Sequence, residues 1–207
     1  MASEQLVQSG ESITAAIEAA APGARIIVAP GLYRESVRID KPVELLGDGS
    51  GGTVELWPPE GSCLDVRCDQ TIIRGLKVHG RSRAPVVQAL YMMLLMEDCV
   101  IEGGAPAVAL SGRDTVLKRC LITGGKTGLH IGTGVDIEIE DCSIVGNDGP
   151  GVVLAEGQPT LKNCRIYENE GPGVLFAQSS GTLKGCSIHH NEGGGLVVDR
   201  HSDPNIL

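Results

Sequence analysis

The regular spacing of apolar and polar positions in the second half of the chain is its most informative feature. Five cysteines recur at intervals of 21, 22, 22 and 22 residues, and each is followed two positions later by an isoleucine. Apolar and polar residues alternate on both sides of each cysteine, which is the period of a β-strand. The pattern therefore predicts a series of similar turns of about 22 residues, built on Cys99, Cys120, Cys142, Cys164 and Cys186.

These turns predict an all-β solenoid. Each repeat holds two or three short strands separated by glycine-containing turns, and no helix-forming stretch follows residue 22, which excludes helical and leucine-rich repeats. In a solenoid, equivalent residues of successive turns stack about 4.8 Å apart in parallel, in-register strands. The cysteines then form a ladder inside the coil, where we expect them to act as small hydrophobic residues rather than as redox centres or metal ligands.

The first 23 residues differ from the repeat. Ser9–Ser12 supplies capping oxygens and an acidic side chain, and Pro22–Gly23 ends the segment. Between them, one apolar helical face consists of Ile13, Ala16, Ile17 and Ala20. We predict a short helix within residues 1–23 that covers the first turn, less regular rungs over residues 24–70 and regular rungs over residues 71–207, all in a single domain 1–207.

Two further ladders follow from the repeat. An asparagine lies five residues after each of the last three cysteines, where we expect a left-handed backbone and amide hydrogen bonds along the stack: Asn147, Asn169 and Asn191. The residues two before the cysteines carry charges of both signs, so we expect ion pairs between rungs: Glu97, Lys118, Glu140, Lys162 and Lys184. Both ladders are interpreted as structural.

The strand that follows each Gly-Pro turn supplies the first candidate for function. Alternation places one residue of this strand inside the coil in each rung: Val108, Ile131, Val152, Val174 and Leu196. The outward stripe then consists of their neighbours Ala109, His130, Val153, Leu175 and Val197. A solvent-facing sheet is ordinarily polar, so an apolar column marks a contact surface unless a loop covers it. We predict that the outward stripe is an interaction surface.

A second candidate is a polar cluster near the end of the sequence, made of His189, His190, Asp199 and His201. These residue types serve in acid–base catalysis and metal binding, and the alternative is that they are exposed turn residues. No metal site is expected, because the cysteines and histidines lack CxxC and HxxxH spacing. His79 and Asp65 look isolated and are assigned no role.

Charge and composition narrow the function classes. The net charge is −9, from 17 Lys and Arg against 26 Asp and Glu, and no basic block is present, so partners such as nucleic acid are disfavoured. The sequence contains no secretory signal and no apolar run of about 18 residues, which predicts no membrane association and a cytoplasmic location. Aromatic residues make up only 2% of the chain, which disfavours a sugar-binding groove. No cofactor is expected.

The first rungs resemble a known superfamily. ITAAIEAAAPGARIIVAPGLYRE at residues 13–35 and VRIDKPVELLG at residues 37–47, together with the cysteine repeat, are similar to the right-handed parallel β-helix proteins of the pectin-lyase-like superfamily. The resemblance covers nearly the whole chain and implies a right-handed coil. Its members include polysaccharide lyases, epimerases and methylesterases, and also CASH-type and intracellular repeat modules that are not known enzymes. The enzymes place clustered Asp, Arg or His residues, often with calcium, beside aromatic side chains, and no such set maps onto this sequence.

We therefore expect a non-catalytic, cytoplasmic scaffold that binds a protein partner or itself. The alternative is a carbohydrate-active enzyme or sugar-binding module of the polysaccharide lyase or epimerase type. Asp203–Leu207 resembles the start of another rung, which predicts either a homodimer through the C-terminal rungs or a longer protein.

Overall fold

The computed structural model describes residues 3–90 and 93–207. These residues form a parallel β-solenoid of about nine turns, with about 22 residues per turn and a single short helix. The predicted fold class and repeat length are therefore confirmed. No helix within the described ranges is long and apolar enough to cross a membrane.

Each turn crosses three faces of the coil, which we call sheets I, II and III in the order in which the chain visits them. Within the described residues, sheet II is a separate 8-stranded sheet, and sheets I and III belong to one 16-stranded sheet. They are joined because two long strands, Val108–Lys118 and Leu129–Glu140, begin in sheet III and end in sheet I. All strand pairs are parallel, so equivalent residues of successive turns lie side by side.

The strands of each sheet are as follows. In addition to the ends of the two long strands, sheet I contains Glu4–Val7, Ala24–Val28, Val43–Gly47, Thr71–Arg74, Leu94–Glu97, Thr160–Lys162, Thr182–Lys184 and Asn205–Ile206. Sheet II contains Gly31–Tyr33, Val54–Leu56, Leu76–Gly80, Val100–Gly103, Leu121–Thr123, Ser143–Val145, Arg165–Tyr167 and Ser187–His189. In addition to the starts of the two long strands, sheet III contains Val37–Ile39, Leu64–Val66, Val87–Leu90, Val152–Leu154, Val174–Phe176 and Leu196–Val198.

The core is a narrow aliphatic column enclosed by the three sheets. Alternation sends every second side chain inward, as in Val37–Ile39, where Val37 and Ile39 are buried and Arg38 is exposed. Phe176 is the one aromatic side chain that is completely buried among the described residues, and most of the other inward positions hold Val, Ile, Leu, Met, Ala or Cys. Small inward residues keep the three sheets close to one another.

The predicted helix is present as Ile13–Ala19 and begins at Ser12, whose Oγ accepts a hydrogen bond from the Ala15 N–H at 3.1 Å. Its apolar face packs on the first turn through Ile13, Ala16 and Ile17. The prediction for residues 1–23 was incomplete, because the strand Glu4–Val7 precedes the helix and pairs with Ala24–Val28. Met1 and Ala2 lie outside the described residues.

Glu35 ties the helix to the first rungs. Its carboxylate accepts hydrogen bonds from Ser12 Oγ at 2.9 Å, from the Ile13 N–H at 2.8 Å and from the Thr14 N–H at 3.1 Å. Burial alone would raise the pKa of Glu35, but the hydrogen bonds from Thr14, Ile13 and Ser12 outweigh it and lower the pKa below its ordinary value. The carboxylate thus stabilises the helix in its ionised form.

The cysteine ladder lies inside the coil, as predicted. Cys99, Cys120, Cys142 and Cys164 are buried, and Cys186 in the last full rung is partly exposed. Hydrogen bonds run from the thiols to main-chain carbonyls, for example from Cys164 Sγ to the Ile139 oxygen at 3.3 Å. Contact with Cys120 and burial keep the pKa of Cys99 well above its ordinary value, which suits an inert core thiol.

The asparagine ladder is present, but its backbone conformation differs from the expectation. Asn147 Nδ2 donates to Asn169 Oδ1 at 2.8 Å, and Asn169 Nδ2 donates to Asn191 Oδ1 at 2.8 Å. The positive φ angles fall one residue earlier, at Gly146, Glu168 and His190. The asparagines therefore satisfy buried N–H and C=O groups of the turn and do not themselves make the bend.

The charged ladder on sheet I is present in its central rungs, whereas Lys184 in the next rung lies beside Lys162, a residue of like charge. Glu140 bridges two neighbouring rungs, with its carboxylate 2.6 Å from Lys118 Nζ and 2.9 Å from Lys162 Nζ. The hydrogen bond from Lys118, followed by the one from Lys162, lowers the pKa of Glu140 to about 2.

Candidate functional site

The outward stripe forms one continuous column on sheet III. Register pairs Ala109 with His130, His130 with Val153, Val153 with Leu175, and Leu175 with Val197. All five side chains are partly exposed, so no segment of the described chain covers them completely. The inward set also faces the core, although Ile131 pairs with Leu110 and Leu154 rather than with Val108 and Val152.

The stripe is uncharged over its whole length. Ala155 and Ala177 follow two residues after Val153 and Leu175 and are also partly exposed, which widens the apolar surface. Burial lowers the pKa of His130, the one titratable member, and so favours its neutral imidazole. This surface lies in the same turns as the charged ladder of Lys118, Glu140, Lys162 and Lys184 on sheet I.

The polar cluster expected near the end of the sequence is not a single site. His189 and His190 contact each other, with their Nδ1 atoms 2.7 Å apart, and the His189 ring stacks on Tyr167. Asp199 instead accepts hydrogen bonds from the main-chain N–H of His201 and from Ser202 Oγ, at 3.0 and 2.7 Å. The described residues give no contact between the two halves, because residues 190 and 199 lie at different corners of one turn.

A polar cluster that sequence reasoning missed lies on the outer face of sheet II and is centred on His79. Its Nδ1 lies 3.4 Å from Glu102 Oε2, and its Nε2 lies 3.4 Å from Glu55 Oε2 without making a hydrogen bond. The imidazole stacks on Trp57 at 4.6 Å between ring centroids, and its side chain is only 7% exposed. His79 is therefore part of a cluster, although its sequence context suggested that it was isolated.

The cluster continues to Arg81, whose guanidinium carbon lies 4.6 Å from the centroid of the Trp57 ring. On its other side, Lys77 Nζ lies 3.9 Å from Glu102 Oε2. A stacked aromatic pair, two carboxylates and two cations thus share one surface. The signal in the sequence was the spacing, because Trp57 and His79 lie 22 residues apart, which is one repeat length.

A recess of about 340 Å³ adjoins this cluster at the corner between sheets II and III. Its floor is made of glycines at or just after the ends of sheet II strands, and Arg81, Arg83, Lys126 and Asp148 surround it. No three His, Cys, Asp or Glu side chains within residues 3–90 and 93–207 are placed to hold a metal ion.

Two further apolar surfaces are present. Outward residues of sheet I form a diagonal band that sequence reasoning did not identify: Leu6, Ile27, Leu46, Ile72, Leu95 and Val116. At the C-terminal end, Leu196, Val197 and Val198 are each about two-fifths exposed, and Ile206 is 54% exposed. Whether a homodimer or a longer chain covers this end stays a prediction.

Comparison with known proteins assigns the coil to a family. The family described as right handed beta helix region matches residues 65–207. The chain belongs to this family. The resemblance to right-handed β-helix proteins is thereby confirmed, and no curated protein matches the chain.

Solved structures of the same fold extend the comparison. A pectin methylesterase variant in complex with a hexasaccharide matches with a TM-score of 0.67 and 14% identity over 99% of this chain and 81% of the other. The A-module of a mannuronan C-5 epimerase from Azotobacter vinelandii matches with a TM-score of 0.55 and 17% identity over 90% of this chain and 76% of the other. An alginate lyase from Paenibacillus sp. matches with a TM-score of 0.50 and 13% identity over 97% of this chain and 99% of the other. At these identities the likeness concerns the fold.

Proposed function

We propose that this β-helix is a non-catalytic protein-binding module whose docking surface is the outward stripe on sheet III. One observation carries the proposal: in the turns of Glu140 and Lys162, the outward residues that end the sheet I strands form ion pairs, whereas the outward stripe of sheet III is uncharged and mostly apolar. A sheet that faces only water is expected to look like the first of these. An uncovered apolar column beside it is typical of a surface that packs against another molecule.

The dimensions of the stripe suit a protein partner. Five residues on neighbouring strands span roughly 19 Å, since adjacent strands lie about 4.8 Å apart. The surface is a flat sheet face without a charged side chain, so a partner needs a matching apolar strip. A second copy of the chain supplies one, because a two-fold axis brings the same column of each copy together.

The test replaces two central members of the stripe with lysine, Val153→Lys and Leu175→Lys in one variant. The matched control is Val145→Lys, since Val145 is a partly exposed outward valine on sheet II. Sedimentation velocity measures self-association, and photo-crosslinking from position 153 identifies a heterologous partner. We expect the double variant to lose association by at least about tenfold and the control to retain it.

Circular dichroism and thermal unfolding accompany both variants, because the comparison requires an intact coil. The proposal is wrong if the unchanged protein neither self-associates nor crosslinks, or if the control and the double variant bind equally well. A cytoplasmic location stays a prediction.

A carbohydrate-active or sugar-binding role is the second candidate, and the cluster around Trp57 and His79 favours it. A partly exposed tryptophan ring beside carboxylates and cations can contact sugar rings and hydroxyl groups. Proteins of this fold include a mannuronan epimerase, an alginate lyase and a pectin methylesterase with a bound hexasaccharide. Incubation with alginate and with pectin, followed by analysis of the products and of Trp57 fluorescence, tests this role. A response that His79→Ala abolishes would support it, and no binding or turnover would contradict it.

A further inference from the structure

The recess between sheets II and III has the features of a binding site for an oxyanion. It lies at a corner of the coil and shares no residue with the outward stripe on the face of sheet III, so the inference goes beyond the proposed protein-binding function. Its lining combines an open, glycine-rich floor with three cationic side chains, of which only Lys126 forms an ion pair among the described residues.

The floor is open because successive rungs place glycine where later rungs carry side chains. Gly80, Gly103 and Gly124 occupy the position that Glu168 and His190 occupy further along the coil. At Gly103, a Cβ would overlap the Gly80 carbonyl oxygen, so packing requires glycine. At Gly124 a Cβ would meet nothing closer than 3.7 Å, and Glu168 adopts the same positive φ, so neither packing nor conformation requires it. The absent side chain at Gly124 keeps the recess accessible.

Arg81 and Arg83 form no side-chain hydrogen bond within the described part of the chain. The guanidinium carbon of Arg81 lies over the Trp57 ring, a cation–π contact that does not require its N–H groups. Neither Arg81 nor Arg83 forms an ion pair within the described part of the chain. Ser82 holds the segment between them, because its Oγ donates to the Gly61 carbonyl and accepts from the Ala84 N–H, both at 3.1 Å.

The charge of the lining indicates the class of ligand. Arg81, Arg83 and Lys126 provide three positive charges and Asp148 one negative charge, which leaves a net formal charge of +2. Asp148 pairs with Lys126 at 3.2 Å, and the carboxylate of Glu102 is occupied by Lys77 and His79. We propose that this recess binds a phosphoryl group, whose charge approaches −2 at neutral pH and whose oxygens accept several N–H donors.

Trp57 provides the readout, since it is the only tryptophan of the chain and lies against Arg81. Inorganic phosphate is titrated into the full-length protein at constant ionic strength, with chloride and acetate as comparison anions. We expect a saturable change in Trp57 fluorescence with phosphate, and a response to acetate at least about tenfold weaker.

Three variants locate the site. Arg83→Gln removes a ligand-facing cation that does not touch Trp57, so we expect phosphate affinity to fall by about tenfold while the fluorescence of the free protein is unchanged. Gly124→Glu copies the residue found at the equivalent position 168 and should block the recess with a carboxylate. Arg113→Gln is the control, because Arg113 is an exposed arginine outside the recess and should not affect binding.

The outcomes separate the possibilities. Equal responses to phosphate and acetate would identify a carboxylate site, and a response that follows only ionic strength would identify screening; both overturn the proposal. So would unchanged affinity in Arg83→Gln and Gly124→Glu with an intact circular dichroism spectrum. If phosphate binds as expected, titrations with glucose 6-phosphate and with a phosphoserine peptide then show whether the phosphoryl group belongs to a metabolite or to a modified protein. None of these results depends on Val153 or Leu175, so the two proposals can fail separately.

Discussion

The outward column of sheet III changes character along the coil. Its first three rungs carry polar residues, Arg38, Asp65 and Gln88, whereas its next five carry the outward stripe from Ala109 to Val197. The backbone register continues through the change, since Gln88 pairs directly with Ala109. The two regions therefore share one architecture and differ only in what they present to the outside.

This difference shows that a solenoid separates folding from surface chemistry. Inward residues and inter-rung hydrogen bonds are of the same kind in both regions, so each turn is held by its neighbours whatever its outward side chains are. Outward positions are then free to carry a polar cluster in the early turns and an apolar stripe in the later ones. If this interpretation is correct, inward substitutions should cost similar amounts of stability in both regions.

The largest expected effect comes from emptying inward positions. Phe176→Ala, in the apolar region, should lower the free energy of unfolding by about 3–5 kcal/mol, and Ile39→Ala, in the polar region, by about 2–5 kcal/mol. The adjacent outward changes Leu175→Ala and Arg38→Ala should each cost less than about 1 kcal/mol. Urea unfolding measures all four. A large cost for Leu175→Ala would mean that the stripe is part of the core, and the comparison between the regions would then fail.

A smaller effect, confined to the N-terminal region, is expected for Glu35→Gln. The amide cannot accept the three hydrogen bonds from Ser12, Ile13 and Thr14 equally well, so we expect a loss of about 1–3 kcal/mol at neutral pH. Because the folded pKa of Glu35 lies below the unfolded value, this stability is present above the unfolded pKa and disappears as the pH falls through the folded pKa.

The measurement is urea unfolding at neutral and at acidic pH, combined with hydrogen exchange. The two proteins should converge in stability at low pH, and faster exchange should be limited to the helix and first rungs. An equal increase in the hydrogen-exchange rate of the C-terminal rungs would show that the two regions are not independent.

The smallest effect is expected from His130, in the apolar region. Its folded pKa is lowered by burial, so the unfolded chain binds the proton more readily. The neutral form is fully favoured above the unfolded pKa of about 6.5, and native stability declines as the pH falls below that value towards the folded pKa. Association through the stripe should weaken only as the pH falls through the folded pKa, where His130 of the folded chain becomes charged, and His130→Leu should remove this pH dependence. Sedimentation velocity across this pH range provides the check.

The sequence predicted those features that repeat at constant spacing. The Cys-x-Ile pattern gave the turn length, and alternation correctly placed the outward stripe, because strand geometry converts a position in the repeat directly into a direction. The asparagine ladder was also located, but its left-handed residue was assigned one position too late. Neighbouring residues in a tight turn share composition preferences, so spacing alone does not distinguish them.

The polar sites were harder to predict because closeness in sequence is misleading in a coil. His190 and Asp199 lie nine residues apart, which is nearly half of a 22-residue turn, so they end at different corners. Trp57 and His79 lie a full turn apart and stack on each other. The irregular segment around Pro58–Cys63 interrupts the pattern, and the repeat was therefore not extended upstream to Trp57.

The parallel register also fixes the separation of outward residues along the coil axis at multiples of one strand spacing. Inserting or deleting one whole 22-residue turn between the glycine-floored recess and Val197 would move these two sites along the coil axis by one strand spacing, about 4.8 Å, without rotating one relative to the other. A change of any other length would rotate every outward residue beyond it onto a different face or force a loop to bulge out. Distances between outward surfaces of this coil can therefore change only in whole strand spacings.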